Sequence, residues 1–245
     1  MRSYGRTDVG IVRNTNQDYI YVNDSKVGPL PNLYIVADGM GGHNAGDYAS
    51  KYTVENFTMR LAEETGPVYS VLTLIEDTLR TINEELIVKA SENPDLEGMG
   101  TTFVMCSINE DGQMYVGNIG DSRLYVIDSQ IRQITEDHSL VAEMVKKGEI
   151  RKEEARFHPK KNVVTRALSA LGVVTPDFFN LKLEKGAIVL LCSDGLSNML
   201  SDAEIFETVS EYRDDLSSAV QILIDKANDN GGKDNISVIL IKNED

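Results

Sequence analysis

Apolar positions along the chain recur with two different periods, and the switches between them predict the elements. Short runs at 33–37, 101–108, 113–119, 123–127, 130–134, 187–192 and 236–241 are rich in Val, Ile, Tyr and Phe. That composition suits buried or half-buried strands. Asp111-Gly112 lies between two of these runs and Asp128-Ser129 between two more, which predicts two hairpins. Elsewhere the period is three to four. Leu72, Ile75, Leu79, Ile82 and Leu86 form one helical stripe. Residues 45–64, with Tyr52, Phe57 and Leu61, predict a second helix, and Leu216, Val220, Leu223 and Ala227 predict another. Ser201 with Glu204 has the form of a capping box opening a shorter helix. The strands fall in two groups with long helices between them. This order suits antiparallel sheets covered by helices better than a strictly alternating parallel sheet.

A chain of 245 residues can build one large core or two small domains. No internal repeat or Pro/Gly-rich linker stands out, so the expectation is one domain over 1–245. Hydrophobic residues at 41% and charged residues at 26% are ordinary for a soluble globular protein. There is no apolar run of about 18 residues, so no membrane-spanning helix is expected. The first ten residues are polar and do not read as a secretory signal. Cys106 and Cys192 sit inside apolar runs and read as reduced core thiols, not a disulfide. Together these features point to the cytoplasm. The net charge of −15 argues against nucleic acid as a partner, because phosphate binding needs Lys and Arg to replace counterions. It also means that a phosphate-ester substrate would need positive charge from elsewhere.

One stretch departs from the acidic trend. Residues 140–161 hold Lys146, Lys147, Arg151, Lys152, Arg156, Lys160 and Lys161 against four glutamates. It reads as a short helical insertion between strands, either a functional element or simply a solvated helical face.

The chemistry concentrates in aspartates at strand ends. Asp38 follows the 33–37 run and Asp194 follows the 187–192 run, each succeeded by glycine. Asp-Gly can mark a hairpin turn. Here a glycine-rich segment follows Gly39, and a segment leading to the Ser201 helix follows Gly195, so neither pair joins two strands. Asp121 ends the 113–119 run inside Gly-Asp-Ser-Arg, Asp234 precedes the 236–241 run, and Asp18 closes Arg13-Asn14-Thr15-Asn16-Gln17-Asp18. A carboxylate at the end of a buried strand is costly unless paired or bound to metal, and several together repel. Oxygen donors suit Mg²⁺ or Mn²⁺, whereas zinc would want Cys or His clusters. His43, His138 and His158 are scattered. Two hard ions roughly 3.5–4 Å apart are a common arrangement for phosphate-ester hydrolysis.

The ordered motifs are Thr7-Asp8-Val9-Gly10 with Arg13 and Asn16-Gln17-Asp18; Val36-Ala37-Asp38-Gly39-Met40-Gly41-Gly42-His43 with Gly46; Gly98-Met99-Gly100-Thr101-Thr102; Gly120-Asp121-Ser122-Arg123; Asp137-His138-Ser139; Ser193-Asp194-Gly195-Leu196; and Gly231-Gly232-Lys233-Asp234-Asn235. Through them the sequence resembles the metal-dependent protein phosphatases of the protein phosphatase 2C (PPM) type, in particular the bacterial serine/threonine phosphatases.

The resemblance implies an α+β fold: two packed antiparallel sheets sandwiched between pairs of helices, four layers, with metals at one end. It implies hydrolysis of phosphoserine and phosphothreonine in proteins by water activated between two Mn²⁺ or Mg²⁺ ions. Asp38 would bridge both ions, the Gly39 carbonyl would bind the first, and Asp194 and Asp234 the second. Asp18 would orient a metal-bound water, Arg13 would grip the phosphate, and Asp121 with Asp194 would hold a weaker third ion. Residues 140–161 fall where the family carries a flap. Phosphorylated proteins, among them those marked by a bacterial serine/threonine kinase, would be the partners.

Two residues depart from the family pattern. Gln17 stands where many members have glutamate, and Met40 where many eukaryotic members have a histidine proposed as general acid; bacterial members share the methionine. His43 could supply a proton or could simply shape the glycine-rich loop. The competing reading is a catalytically silent phosphoprotein-binding module, against which the intact Asp38, Asp194 and Asp234 argue.

Overall fold

Strand side chains alternate between two faces, and in this chain both faces of the central strands are apolar. A strand of that kind must be covered twice. The computed structural model, which describes every residue except 43–44, 65–69, 170–171, 173 and 245, meets this requirement with four layers. One sheet has the order β1 (Arg2–Asp8), β11 (Ile236–Lys242), β10 (Ile188–Cys192), β7 (Arg123–Ile127), β8 (Ile131–Gln133). The other runs β2 (Asp18–Asn23), β3 (Leu33–Met40), β5 (Phe103–Ile108), β6 (Gln113–Ile119), β9 (Asp177–Lys182), with the two-residue β4 (Gly100–Thr101) also paired to β3. Every pairing between these strands is antiparallel.

Side-chain parity assigns each residue to a layer. Tyr34, Val36, Val104, Cys106, Leu124, Val126, Val189, Leu191, Ile239 and Ile241 meet between the two sheets. Their neighbours in sequence point outward. On one side Leu33, Ile35, Phe103 and Met105 pack under α1 (Ala45–Glu63) and α2 (Val71–Glu92). On the other Tyr125, Leu190, Cys192, Val238 and Leu240 pack under α6 (Asp202–Glu211) and α7 (Leu216–Asp229). The Leu79, Ile82 and Leu86 stripe is fully buried, as its spacing predicts. The capping box of Ser201 and Glu204 forms: Ser201 Oγ accepts from Glu204 N–H, and a Glu204 carboxylate oxygen accepts from Ser201 N–H. Cys106 and Cys192 are buried free thiols.

Some details differ from the sequence expectation. The 101–108 run is broken at Thr102, whose N–H donates to the Asp38 carbonyl and whose Oγ1 accepts from Asp38 N–H, tying it to β3. β3 continues past Asp38 to Met40, because β4 pairs with that extension. The segment between β10 and the Ser201 helix is itself helical at its start: Asp194 heads the four-residue α5 (Asp194–Ser197). The 140–161 stretch is helical in two pieces, α3 (Leu140–Lys146) and α4 (Lys152–Ala155), between β8 and β9. β1, β2 and β9 escape the apolar pattern because their side chains are mostly half-buried or exposed.

Ile239 lies fully buried between the sheets. Ile239→Ala is expected to destabilise the fold by about 2–5 kcal/mol in urea denaturation, because both sheets wall the resulting cavity. A loss below about 1 kcal/mol would mean that the inter-sheet layer is loosely packed.

Candidate active site

The same parity that fills the inter-sheet layer with Val36 places Asp38 on the inner face of β3, two residues on. Asp18 pairs directly opposite Asp38 across the β2–β3 ladder, so it shares that face. In the facing sheet, Leu191 and Ile239 are inner residues, and by alternation so are Ser193 and Ser237. Both serine hydroxyls donate to Asp18 Oδ2, each at 2.7 Å. Asp18 Oδ1 is buried and meets no hydrogen-bond partner among the described residues.

Three further aspartates reach the same end from other elements. Asp194 opens α5, and its Oδ2 accepts from Asn198 Nδ2 at 2.9 Å. Asp121 is buried in the turn between β6 and β7. Asp234 precedes β11 and accepts from Arg13 Nη2 at 2.8 Å in a partly exposed ion pair. The approach of α1 to the end of β3 depends on glycine at both contacts. A Cβ on Gly39 would stand 2.1 Å from the Gly46 carbonyl oxygen, and one on Gly46 2.8 Å from Gly39. Gly39 N–H donates to the Gln17 carbonyl, which also accepts from Ser50 Oγ at 2.6 Å.

The carboxylates disturb one another. Burial first, with smaller contributions from Asp194 and Asp234, raises Asp18 to about 7 despite its two serine donors. Asp38 and Asp194 keep a partial opening to solvent but are walled in by protein. Burial pushes Asp38 well above the carboxylate range, and the charges of Asp18, Asp194, Asp121 and Asp234 add to it. Asp194 is raised to about 6 by burial and Asp234, with Lys161, Arg123 and Arg13 opposing. Asp121 is raised by burial, then by Asp194 and Asp137. Of the nearby cations, Arg13 pairs with Asp234 of the cluster itself, and Arg123 is committed to a carboxylate beside it. Arg123 makes a bidentate pair with Asp137, Nε to Oδ1 at 2.9 Å and Nη2 to Oδ2 at 2.6 Å.

Donor chemistry decides what could relieve this repulsion. The convergent groups are carboxylate oxygens, as hard divalent cations require. Among the described residues no three His, Cys, Asp or Glu side chains close on one point tightly enough to hold an ion alone. An ion here therefore needs backbone carbonyl or water in its shell, which is how Mg²⁺ is usually bound. The orphaned Asp18 Oδ1 suits a water in that shell. The residues fit oxygen-ligated Mn²⁺ or Mg²⁺ and do not fit zinc.

Of the residues singled out from sequence, Asp18, Asp38, Asp121, Asp194 and Asp234 are thus brought into electrostatic reach of one another, with Gly39 adjoining Asp38 and Arg13 at the rim. His43 lies outside the described residues. Supporting residues carried no role in the sequence reading. Ser237 could have been noticed as a polar residue inside an apolar run. His138 braces the Asp121 turn: its Nδ1 accepts from Gly120 N–H at 3.0 Å and its Nε2 meets Asp177 Oδ2 at 2.9 Å. From the basic stretch, Lys161 Nζ donates to Asn198 Oδ1 at 3.2 Å and Arg156 Nη2 to Asn198 O at 3.3 Å. That segment therefore touches the residue that holds Asp194.

Comparison with known proteins adds to this geometry. A family model described as protein phosphatase 2C matches residues 12–230. The serine/threonine phosphatase stp of Listeria innocua is 41% identical over 99% of this chain and 96% of its own length. A solved bacterial serine phosphatase superposes with a TM-score of 0.91 at 34% identity, covering 100% of this chain and 98% of its own. The catalytic domain of the phosphatase PstP, solved in complex with two manganese ions, superposes with a TM-score of 0.83 at 33% identity, covering 98% of this chain and 96% of its own.

Mutual repulsion makes a measurable demand on the metal-free protein. Mn²⁺ is expected to raise the Tm by several degrees over the EDTA-treated protein, because ligands that bind only the folded state stabilise it. Asp38→Asn is expected to raise the stability of the metal-free protein by about 1–3 kcal/mol, since it removes a buried like charge, and to abolish most of the Mn²⁺ effect. An Asp38→Asn protein that is less stable without metal would show that Asp38 is not under repulsion.

Proposed function

Given that the chain belongs to the protein phosphatase 2C family and is a metal-dependent serine/threonine protein phosphatase, we propose that its catalytic centre is the acidic end of the inter-sheet layer. The observation that carries this reading is the convergence of Asp18, Asp38, Asp121, Asp194 and Asp234, which come from well-separated parts of the chain and whose like charges oppose one another.

Asp38, the Gly39 carbonyl, Asp194 and Asp234 would hold two core ions, and Asp121 with Asp194 would hold a weaker third. Bound ions would supply Lewis acidity toward the phosphoryl oxygens and a water acidic enough to attack phosphorus near neutral pH. The residues of the chain do the rest. Ser193 and Ser237 fix the Asp18 carboxylate by its Oδ2, leaving Oδ1 to accept a hydrogen bond from water. Arg13 leaves its pair with Asp234 to grip the phosphate, which its planar donor fork suits. Asn198 holds Asp194 in place. No side-chain nucleophile is needed, and neither buried cysteine is used.

The chemistry selects a phosphate monoester, and residues 140–161, basic in an acidic protein, act as a flap that favours protein substrates. Those substrates include the marks of a serine/threonine kinase. The two free thiols suit a reducing compartment such as the cytoplasm. No described helix is long and apolar enough to cross a membrane.

Asp194→Ala is expected to lose at least about a thousandfold in kcat on a phosphothreonine peptide in Mn²⁺ while keeping its circular dichroism spectrum. The parent protein is expected to release phosphate from that peptide far faster than from a phosphotyrosine peptide. Near-normal turnover by Asp194→Ala would refute the site, and loss of all Mn²⁺ binding in Asp121→Ala would refute the third-ion assignment.

A further inference from the structure

Arg13 sits in the loop 9–17, which joins β1 to β2 without regular secondary structure. An exposed loop of this kind holds one conformation only if other groups offset its backbone entropy. Directly behind it lies Asn235, with only 4% of its surface exposed. Its Nδ2 donates to the Val9 carbonyl and to the Thr15 carbonyl, each at 2.9 Å. Its Oδ1 accepts from Gln17 N–H at 2.8 Å. Both amide hydrogens and a carbonyl lone pair are therefore spent on one loop, at its beginning and at its end.

The backbone around Asn235 supports the same loop. Ile11 and Val12 N–H groups both donate to the Gly232 carbonyl, at 2.9 and 3.1 Å. Gly10 has φ +78°, and a Cβ there would stand 2.3 Å from the Asp234 carbonyl oxygen. The loop thus rests on the 231–235 turn, and its tip carries Arg13 back over Asp234.

We propose that Asn235 is a positioning residue for phosphate binding: its amide staples the two ends of loop 9–17 and so fixes where the Arg13 guanidinium stands. Asn235 touches no substrate in this role and acts through Arg13. The inference rests on the reading of Arg13 as the phosphate grip, so the test measures that separately. An amide is suited to the task because it donates twice and accepts at once, which neither serine nor aspartate can match.

The experiment compares Arg13→Ala, Asn235→Ala and the double variant, using a phosphothreonine peptide with Mn²⁺ and inorganic phosphate as competitive inhibitor. Asn235→Ala is expected to raise KM and the phosphate inhibition constant about tenfold, with kcat within about twofold and Mn²⁺ binding by calorimetry unchanged. The double variant is expected to be no worse than Arg13→Ala alone, because the staple has nothing left to position. Should Asn235→Ala not fold, Asn235→Ser, where water can bridge part of the gap, takes its place with the same expectation. An unchanged KM, a loss of Mn²⁺ binding, or a full addition of the two effects would overturn the proposal. An unchanged KM in Arg13→Ala would instead overturn the phosphate-grip reading itself.

Discussion

The Asp18 carboxylate is hydrogen-bonded across the gap between the two sheets: it stands on β2 and accepts from Ser193 and Ser237, which belong to the facing sheet. Around it the inter-sheet layer changes from hydrocarbon to acid. Through most of its length that layer is Val, Ile, Leu and Tyr, and at this end the next inward positions are Asp18, Asp38, Ser193 and Ser237. Strand parity enforces the arrangement. A residue two beyond Val36 must face inward, and its cross-strand partner must face inward with it. The fold therefore delivers carboxylates to one place whether or not their charges are welcome there.

That delivery sets the energetics of the site. Clustered buried carboxylates weaken the fold and would be lost to protonation or rearrangement if nothing opposed them. Three apolar layers, one between the sheets and one under the helices on each outer face, hold the frame against this strain. The compensating charge comes in part from Arg13, Arg123 and Lys161, each already engaged, and in the family from divalent cations. Divalent cations bound at this end would reverse the local sign, which is how an acidic protein of net charge −15 would act on an anionic ester.

Much of this was legible in the sequence. Long apolar stripes found α2 and α7, and the strands of both sheet centres stand out because both of their faces are buried. Asp38 and Asp194 are visible because a charged residue ending an apolar run needs a reason. Edge strands β1 and β2 were not legible, since half-exposed strands lose the apolar signal, and with β2 went the direct pairing of Asp18 with Asp38. The supporting shell was hidden for a different reason. Ser193, Ser237, His138 and Asn235 act through contacts distant in the chain, and a polar residue near a motif does not declare its partner. Metal-ligand assignments came from family resemblance, because residue spacing cannot show which carboxylates share an ion.

Anomalous diffraction from crystals grown with Mn²⁺ addresses the central claim most directly. Two strong peaks are expected at the acidic end of the inter-sheet layer, with Asp38 beside both and Asp194 and Asp234 beside one. Manganese peaks confined to other surfaces, with Asp38 and Asp194 left bare, would contradict it.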